Sequence, residues 1–183
     1  MGTDARVRYT KMIIQVNFIS LLKQKPLNKI TVKEICALSE INRATFYKYY
    51  ADAYDLMEKI ENEIIQELRE TMENSIHDGI NKTLIRILEK MKEHCSLYVT
   101  LFSNHGDISF PIKIFRICYG EFESYIHKKY PNLSETQREW IYTYAAQGSS
   151  GILNCWISDG LKEAPADVAK FIEQLISSTL NNF

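Results

Sequence analysis

Apolar residues recur at helical spacing through nearly every long segment of this chain, and no segment alternates them with the two-residue period of a half-buried strand. Ile14, Phe18, Leu21 and Leu22 follow i, i+4, i+7, i+8 and predict a helix over about residues 5–24, broken by Pro26 and Asn28. Asp52 caps a long helix whose inward stripe is Leu56, Ile60, Ile64, Leu68 and Met72, fraying over 75–79. Leu84, Ile87, Leu88 and Met91 form a further stripe, and 95–106 reads as a looser segment. Pro111 opens a helix near 112–127 that turns Phe115, Tyr119, Phe122 and Ile126 inward and stops at Pro131. A helix over 135–158 ends at Gly160 as its C-cap residue, and Pro165 starts a final one with Val168, Phe171, Ile172, Leu175 and Ile176 on one face. The fold class is therefore all-α, and 183 residues can enclose one sizeable core or two small ones.

Within that series, residues 31–50 read as two short helices with a tight connection. Thr31 is a good N-cap and Glu34 completes a capping box; Val32, Ile35 and Cys36 give the first helix a narrow apolar face. Leu38, Ser39 and Glu40 close it, and Ile41 turns inward as a plug. Asn42 caps a second helix opening at Arg43, with Phe46 and Tyr50 four apart and inward. Arg43, Ala44, Thr45, Tyr47, Lys48 and Tyr49 are left outside, on a face without a single acid. Such side chains suit the phosphates and base edges of a DNA major groove, and the pair reads as a helix-turn-helix.

Charge agrees with this reading. Residues 1–50 hold nine Lys/Arg against three acids, a surplus of six positive charges in a chain whose net charge is −1. A basic end on an acidic body suits a polyanion-binding head. No apolar run approaches the roughly 20 residues needed to span a bilayer, and no signal-peptide layout is present, so a cytoplasmic protein is expected. Cys36, Cys95, Cys118 and Cys155 form no C-x-x-C pair, and His77, His94, His105 and His127 lack ligand spacing; no metal and no cofactor is expected. No nucleophile elbow, phosphate-cradling glycine loop or partnered carboxylate pair supports an enzyme.

Over Thr31-Val-Lys-Glu-Ile, Ile41-Asn-Arg-Ala-Thr-Phe-Tyr-Lys-Tyr-Tyr50, Asp52 and Leu56, the chain resembles the DNA-binding domain of TetR-like bacterial transcriptional regulators. Residues 151–165, with Trp156 and Gly160 before a Pro-started helix, resemble a C-terminal domain found in one branch of that family. Three departures stand out: Glu40 occupies a turn position where the family commonly has Gly, Ala53 one where many members place a phosphate-touching Lys, and Ala164 replaces a capping Ser. Glycine tolerates a positive φ at the turn, whereas Glu40 bears strain if the geometry is kept. The resemblance implies a three-helix DNA-binding domain over 1–52 and a regulatory and dimerisation domain over 53–183. It also implies a homodimer on a palindromic operator, usually a repressor released by a small molecule. The alternatives are an activator working with a protein partner, or a helical ligand-binding or protein-interaction module.

Roles follow for individual residues. Arg43 is the candidate for bidentate guanine readout; Ala44 and Thr45 meet a thymine methyl or a nearby phosphate. Tyr47, Lys48, Tyr49 and Thr31 hold phosphates, and Lys33 and Asn42 complete the DNA-facing set. Candidate effector-pocket residues are Tyr98, Phe102, His105, Phe110, Phe115, Tyr119, Trp140 and Tyr144. Gly148 and Gly151, at about 1 kcal/mol each in a helix, make sense where another helix approaches closely. Ala145, Gly148, Ser149, Ile152, Trp156, Val168, Phe171, Ile172 and Leu175 are the candidate dimer surface.

Overall fold

The computed structural model describes residues 2–103, 105, 109–117 and 119–180; the side chains of Phe115, Tyr119 and Phe122, and all of Cys118, lie outside the described set. Every described element is helical: α1 (Gly2–Leu22), α2 (Val32–Leu38), α3 (Arg43–Tyr47), α4 (Ala53–Ser75), α5 (Ile80–Glu93), α6 (Cys95–Leu101), α7 (Phe110–Ile117), α8 (Tyr119–Lys129), α9 (Glu135–Ser158) and α10 (Pro165–Leu180). Short 3-10 turns occupy Leu27–Lys29 and Ile76–Asp78. No described helix is long and apolar enough to cross a membrane.

The chain forms two compact units, one of Met1–Ile64 with Thr100–Ile108, the other of Ile65–Val99 with Ser109–Phe183. The division between these compact units falls inside α4, whose first turns, burying Ala53, Leu56, Met57 and Ile60, group with the N-terminal unit.

In the first unit α1 packs on α2 and α2 on α3. The expected α1 stripe of Ile14, Phe18, Leu21 and Leu22 is buried. Asn17 ties the two helices together, donating to the Leu38 carbonyl at 3.1 Å and the Ser39 hydroxyl at 3.2 Å, which satisfies orphan groups at the end of α2. Asp52 opens α4 as expected, its Oδ1 accepting from the backbone N–H of Tyr54 and Asp55 at 2.8 and 2.9 Å.

In the second unit α10 lies against α5 and α9, and α9 packs with α7 and α8. Ile126, Ile141 and Leu180 form one core cluster, with Tyr130, Leu133 and Ile176 packed against it. One expectation about an element changes. The segment over 95–106, read as loose, begins with α6, whose Tyr98 and Leu101 are buried and supply the apolar contacts that hold so short a helix. The helix expected over 112–127 is helical on both sides of Cys118, as α7 and α8, and α7 buries Phe110, Ile114 and Ile117 at i, i+4 and i+7.

The boundaries of α9 have clear local causes. Ser134 accepts from the Gln137 N–H at 3.2 Å while Gln137 accepts from the Ser134 N–H at 2.9 Å, a capping box that the sequence reading passed over. At the other end Gly160 (φ 79°) follows the last turn; its N–H reaches the Ile157 carbonyl at 3.0 Å and that of Leu161 reaches Trp156 at 2.8 Å. That is a Schellman turn, and the buried Leu161 seals it.

Candidate nucleic-acid interface

The helix pair of residues 31–50 is built by its caps. Thr31 accepts from the Glu34 N–H at 3.3 Å, and Glu34 accepts from the Thr31 N–H at 3.0 Å, closing the expected capping box. Asn42 Oδ1 accepts from the Thr45 N–H at 2.7 Å and starts α3 at Arg43. Between them, Ile41 N–H reaches the Cys36 carbonyl at 3.1 Å and Glu40 N–H that of Ala37 at 3.4 Å, a second Schellman turn. Its left-handed residue is Glu40, at φ 52°, so the strain expected of a non-glycine there is present.

Phe46 is fully buried beneath α3, and its ring meets Tyr50 at 5.6 Å and Tyr47 edge-on at 5.7 Å. Burial, with the Glu63 charge adding to it, pushes the Tyr50 hydroxyl up to about 12, so it stays protonated. With that side anchored, Arg43, Ala44, Tyr47 and Lys48 face outward, and Thr45 and Tyr49 are half-buried at the edge. The charge of Arg43 is felt at Cys36, whose buried thiol is nonetheless pushed up, first by burial.

Two members of the expected DNA-facing set are already engaged. The Asn42 carbonyl oxygen serves as the cap of α3. The Thr31 hydroxyl donates to Glu34 Oε2 at 2.8 Å, and that carboxylate also takes Lys25 Nζ at 2.5 Å. Lys25 first, then Thr31, hold the Glu34 carboxyl down to about 2, so a fixed negative charge sits at the start of α2. Lys33 is exposed nearby.

The turn into α4 is braced by Lys59, which donates to the Tyr49 carbonyl and to Asp55 Oδ2, both at 2.9 Å, and lies 5.4 Å from the Tyr50 ring centre. Ala53 is buried, so this position offers no group to a phosphate.

The residues expected to line an effector pocket are drawn from both compact units. Tyr98 and Phe110 are buried in the second unit, and the Tyr98 hydroxyl is pushed up, first by burial and then by Glu67. Phe102 and His105 belong to the first unit. His105 Nδ1 donates to the Leu22 carbonyl at 2.9 Å, and its own carbonyl accepts from Leu27 N–H at 3.3 Å, so the ring is a strut at the end of α1. The side chains of Phe115 and Tyr119 lie outside the described residues. Trp140 and Tyr144 stand on the surface, 67% and 64% exposed.

Those last two line an open groove of about 520 Å³ along α9 and α10, together with Ala145, Gly148, Ser149, Ile152, Ile172 and Leu175. Six residues expected at a dimer surface thus share one groove with two expected in a pocket. Trp156 and Val168 face inward instead: Trp156 Nε1–H donates to the Glu163 carbonyl at 3.2 Å, bracing the turn between the helices. Phe171 is 54% exposed. A Cβ added at Gly148 or Gly151 would meet nothing within 4 Å, so among the described residues nothing fills the space these glycines leave.

Residues 78–178 match the family described as the transcriptional regulator C-terminal region of TetR-type proteins. The HTH-type transcriptional regulator YxbF of Bacillus subtilis (strain 168) is 22% identical over 167 residues, which are 87% of this chain and 42% of that protein. The chain therefore spans less than half the length of this curated relative. A TetR transcriptional regulator from Streptococcus agalactiae 2603V superposes with a TM-score of 0.71 at 21% identity, over 96% of this chain and 98% of the other. The dihydroxyacetone kinase operon activator DhaS gives 0.65 at 22%, over 95% and 97%. FadR of Thermus thermophilus, a TetR-family repressor solved in complex with lauroyl-CoA, gives 0.55 at 16%, over 91% and 92%. These three likenesses are likenesses of fold.

Proposed function

The chain belongs to the TetR-type transcriptional regulators, and from that premise we propose that it binds a palindromic DNA operator as a homodimer, as a repressor released by a small-molecule effector. The observation that carries the proposal is the acid-free outer face of α3, Arg43 to Lys48, presented by a capped helix whose other side is locked into a core. A solvated helix face without a function more usually mixes Glu with its Lys.

In this reading residues 1–52 contact DNA, and residues 53–183 regulate and dimerise. Arg43 reads a guanine edge; Ala44 and Thr45 lie close to bases; Tyr47, Lys48, Tyr49 and Lys33 hold the backbone. Thr31 and Asn42 contribute chiefly by shaping the two helices, since their side-chain oxygens are engaged in caps. One such helix reads too few base pairs to single out a site, so two heads on a two-fold axis are needed.

The groove of α9 and α10 is the surface on which the second copy sits. Trp140, Tyr144 and Leu175 are the exposed large side chains there, Phe171 is exposed elsewhere on α10, and Gly148 and Gly151 leave room for close approach. Covering them removes an apolar patch that water would otherwise face, and a two-fold axis lets the same patch serve both partners. An effector acts on the body, where Tyr98 and Phe110 are the buried aromatics an apolar molecule would meet. A near-complete switch requires that it distinguish the two states of the protein by about 5.5 kcal/mol.

Selection of genomic fragments by the purified protein tests the proposal. Recovered fragments are expected to share an inverted repeat with half-sites about one helical turn apart or a multiple of it, and binding should weaken steeply with salt. Fragments without a common sequence would overturn it.

A further inference from the structure

The DNA-binding reading concerns α2 and α3, but one cation from α1 stands beside them. Lys11 Nζ lies 5.9 Å from the centre of the Tyr49 ring, and Lys48 Nζ lies 5.6 Å from the same centre. Lys11 precedes Ile14, Phe18 and Leu22 by three, seven and eleven residues, so it continues the line of the buried α1 stripe by one turn. The register that buries those three side chains therefore carries Lys11 over the end of the recognition segment.

The lysines of this unit fall into two kinds. Lys25 pairs with Glu34, and Lys59 pairs with Asp55 while also bonding the Tyr49 carbonyl. Their charges are used within the fold. Lys11 and Lys48 are exposed, and among the described residues no carboxylate pairs with either. Two like charges drawn to one ring repel each other, and an anion beside them would relieve that repulsion. The adjoining first turn of α4 supplies no cation, since Ala53 is buried and Asp52 and Asp55 flank it.

We propose that Lys11 is a DNA-backbone contact, positioned by the Tyr49 ring so that α1 and the end of α3 grip neighbouring phosphates of one strand. The inference rests on the DNA-binding reading above and adds α1 to the contact surface. Its ligand is duplex backbone of any sequence, because an ammonium group on a phosphate reads no base.

The test measures binding of the full chain to a short random-sequence duplex across a salt series, for wild type, Lys11→Met, Lys11→Arg and Lys11→Met with Lys48→Met. Loss of one phosphate contact should make the slope of log K against log salt shallower by about 0.9, and loss of both by about twice that. Lys11→Arg should keep the wild-type slope, and Lys25→Met should keep it too. Melting temperature is read alongside; should Lys11→Met prove unstable, Lys11→Gln takes its place. A Lys11→Met slope equal to wild type, or a shallower one that Lys11→Arg fails to restore, overturns the assignment of Lys11 while leaving DNA binding intact. A wild-type chain that binds no duplex even in dilute buffer overturns both.

Discussion

The α2–α3 pair and the α9–α10 pair end their first helix in the same way, with a Schellman turn whose second N–H reaches five residues back, Ile41 to Cys36 and Leu161 to Trp156. After that common turn they diverge. The first pair buries its aromatic side, Phe46 and Tyr50, and shows water the acid-free outer face of α3. The second buries Trp156 and Val168 yet leaves Trp140, Tyr144, Phe171 and Leu175 uncovered. Similar connections thus present opposite chemistries, one fitted to a polyanion and the other to an apolar partner. What a helix pair binds is written on the face left after its own core is satisfied.

Several substitutions would break or sharpen that contrast. The largest effect is expected from Phe46→Ala, at about 3–5 kcal/mol of stability, because a fully buried ring leaves a cavity beneath α3. Denaturant unfolding measures it, and a loss below about 1 kcal/mol would mean that α3 is not held from beneath. Next is Tyr144→Asp, which sets a charge in the groove and should weaken self-association by about 2–4 kcal/mol. Sedimentation should then show a monomer at concentrations where the wild type is dimeric; an unaltered dimer places the interface elsewhere. Arg43→Ala should cost about 1–3 kcal/mol of operator affinity and relax sequence preference, as read by competition between operator and random duplex. Unchanged selectivity removes its readout role. Smallest is Glu40→Gly, expected to raise stability by about 0.5–1 kcal/mol, relief of the left-handed strain being offset by a more flexible unfolded chain. A lower melting temperature would show that the Glu40 side chain contributes more than its backbone costs.

Helical periodicity made most of the fold legible, because period and caps are local properties. The α1 stripe, the Thr31 and Asn42 caps, the α4 stripe and the Gly160 turn all stand where spacing placed them. Periodicity misjudged α6, where seven residues are too few to show a stripe and burial of Tyr98 and Leu101 decides the matter. The site was half legible. Side-chain type marked the face of α3 and the Thr31 and Asn42 caps, but could not exclude those two residues from the DNA-facing set although the caps engage their oxygens. Nor could it bring Lys11 to Tyr49 across 38 residues of chain, a juxtaposition made by α1 packing. Trp140 and Tyr144 read as interior because aromatic residues usually are; only the three-dimensional path of α9 places them outside.

His105 carries a lesson for anyone dissecting this molecule. Residues 100–108 are distant in sequence from the N-terminal unit yet belong to it, and through His105 they hold the last carbonyl of α1 and the Leu27 amide. The polypeptide therefore leaves that unit, returns, and leaves again, so no single cut of the backbone releases it whole. A fragment stopped after residue 64 forfeits two anchoring bonds at the base of α1, and its behaviour should not be taken for that of the intact head.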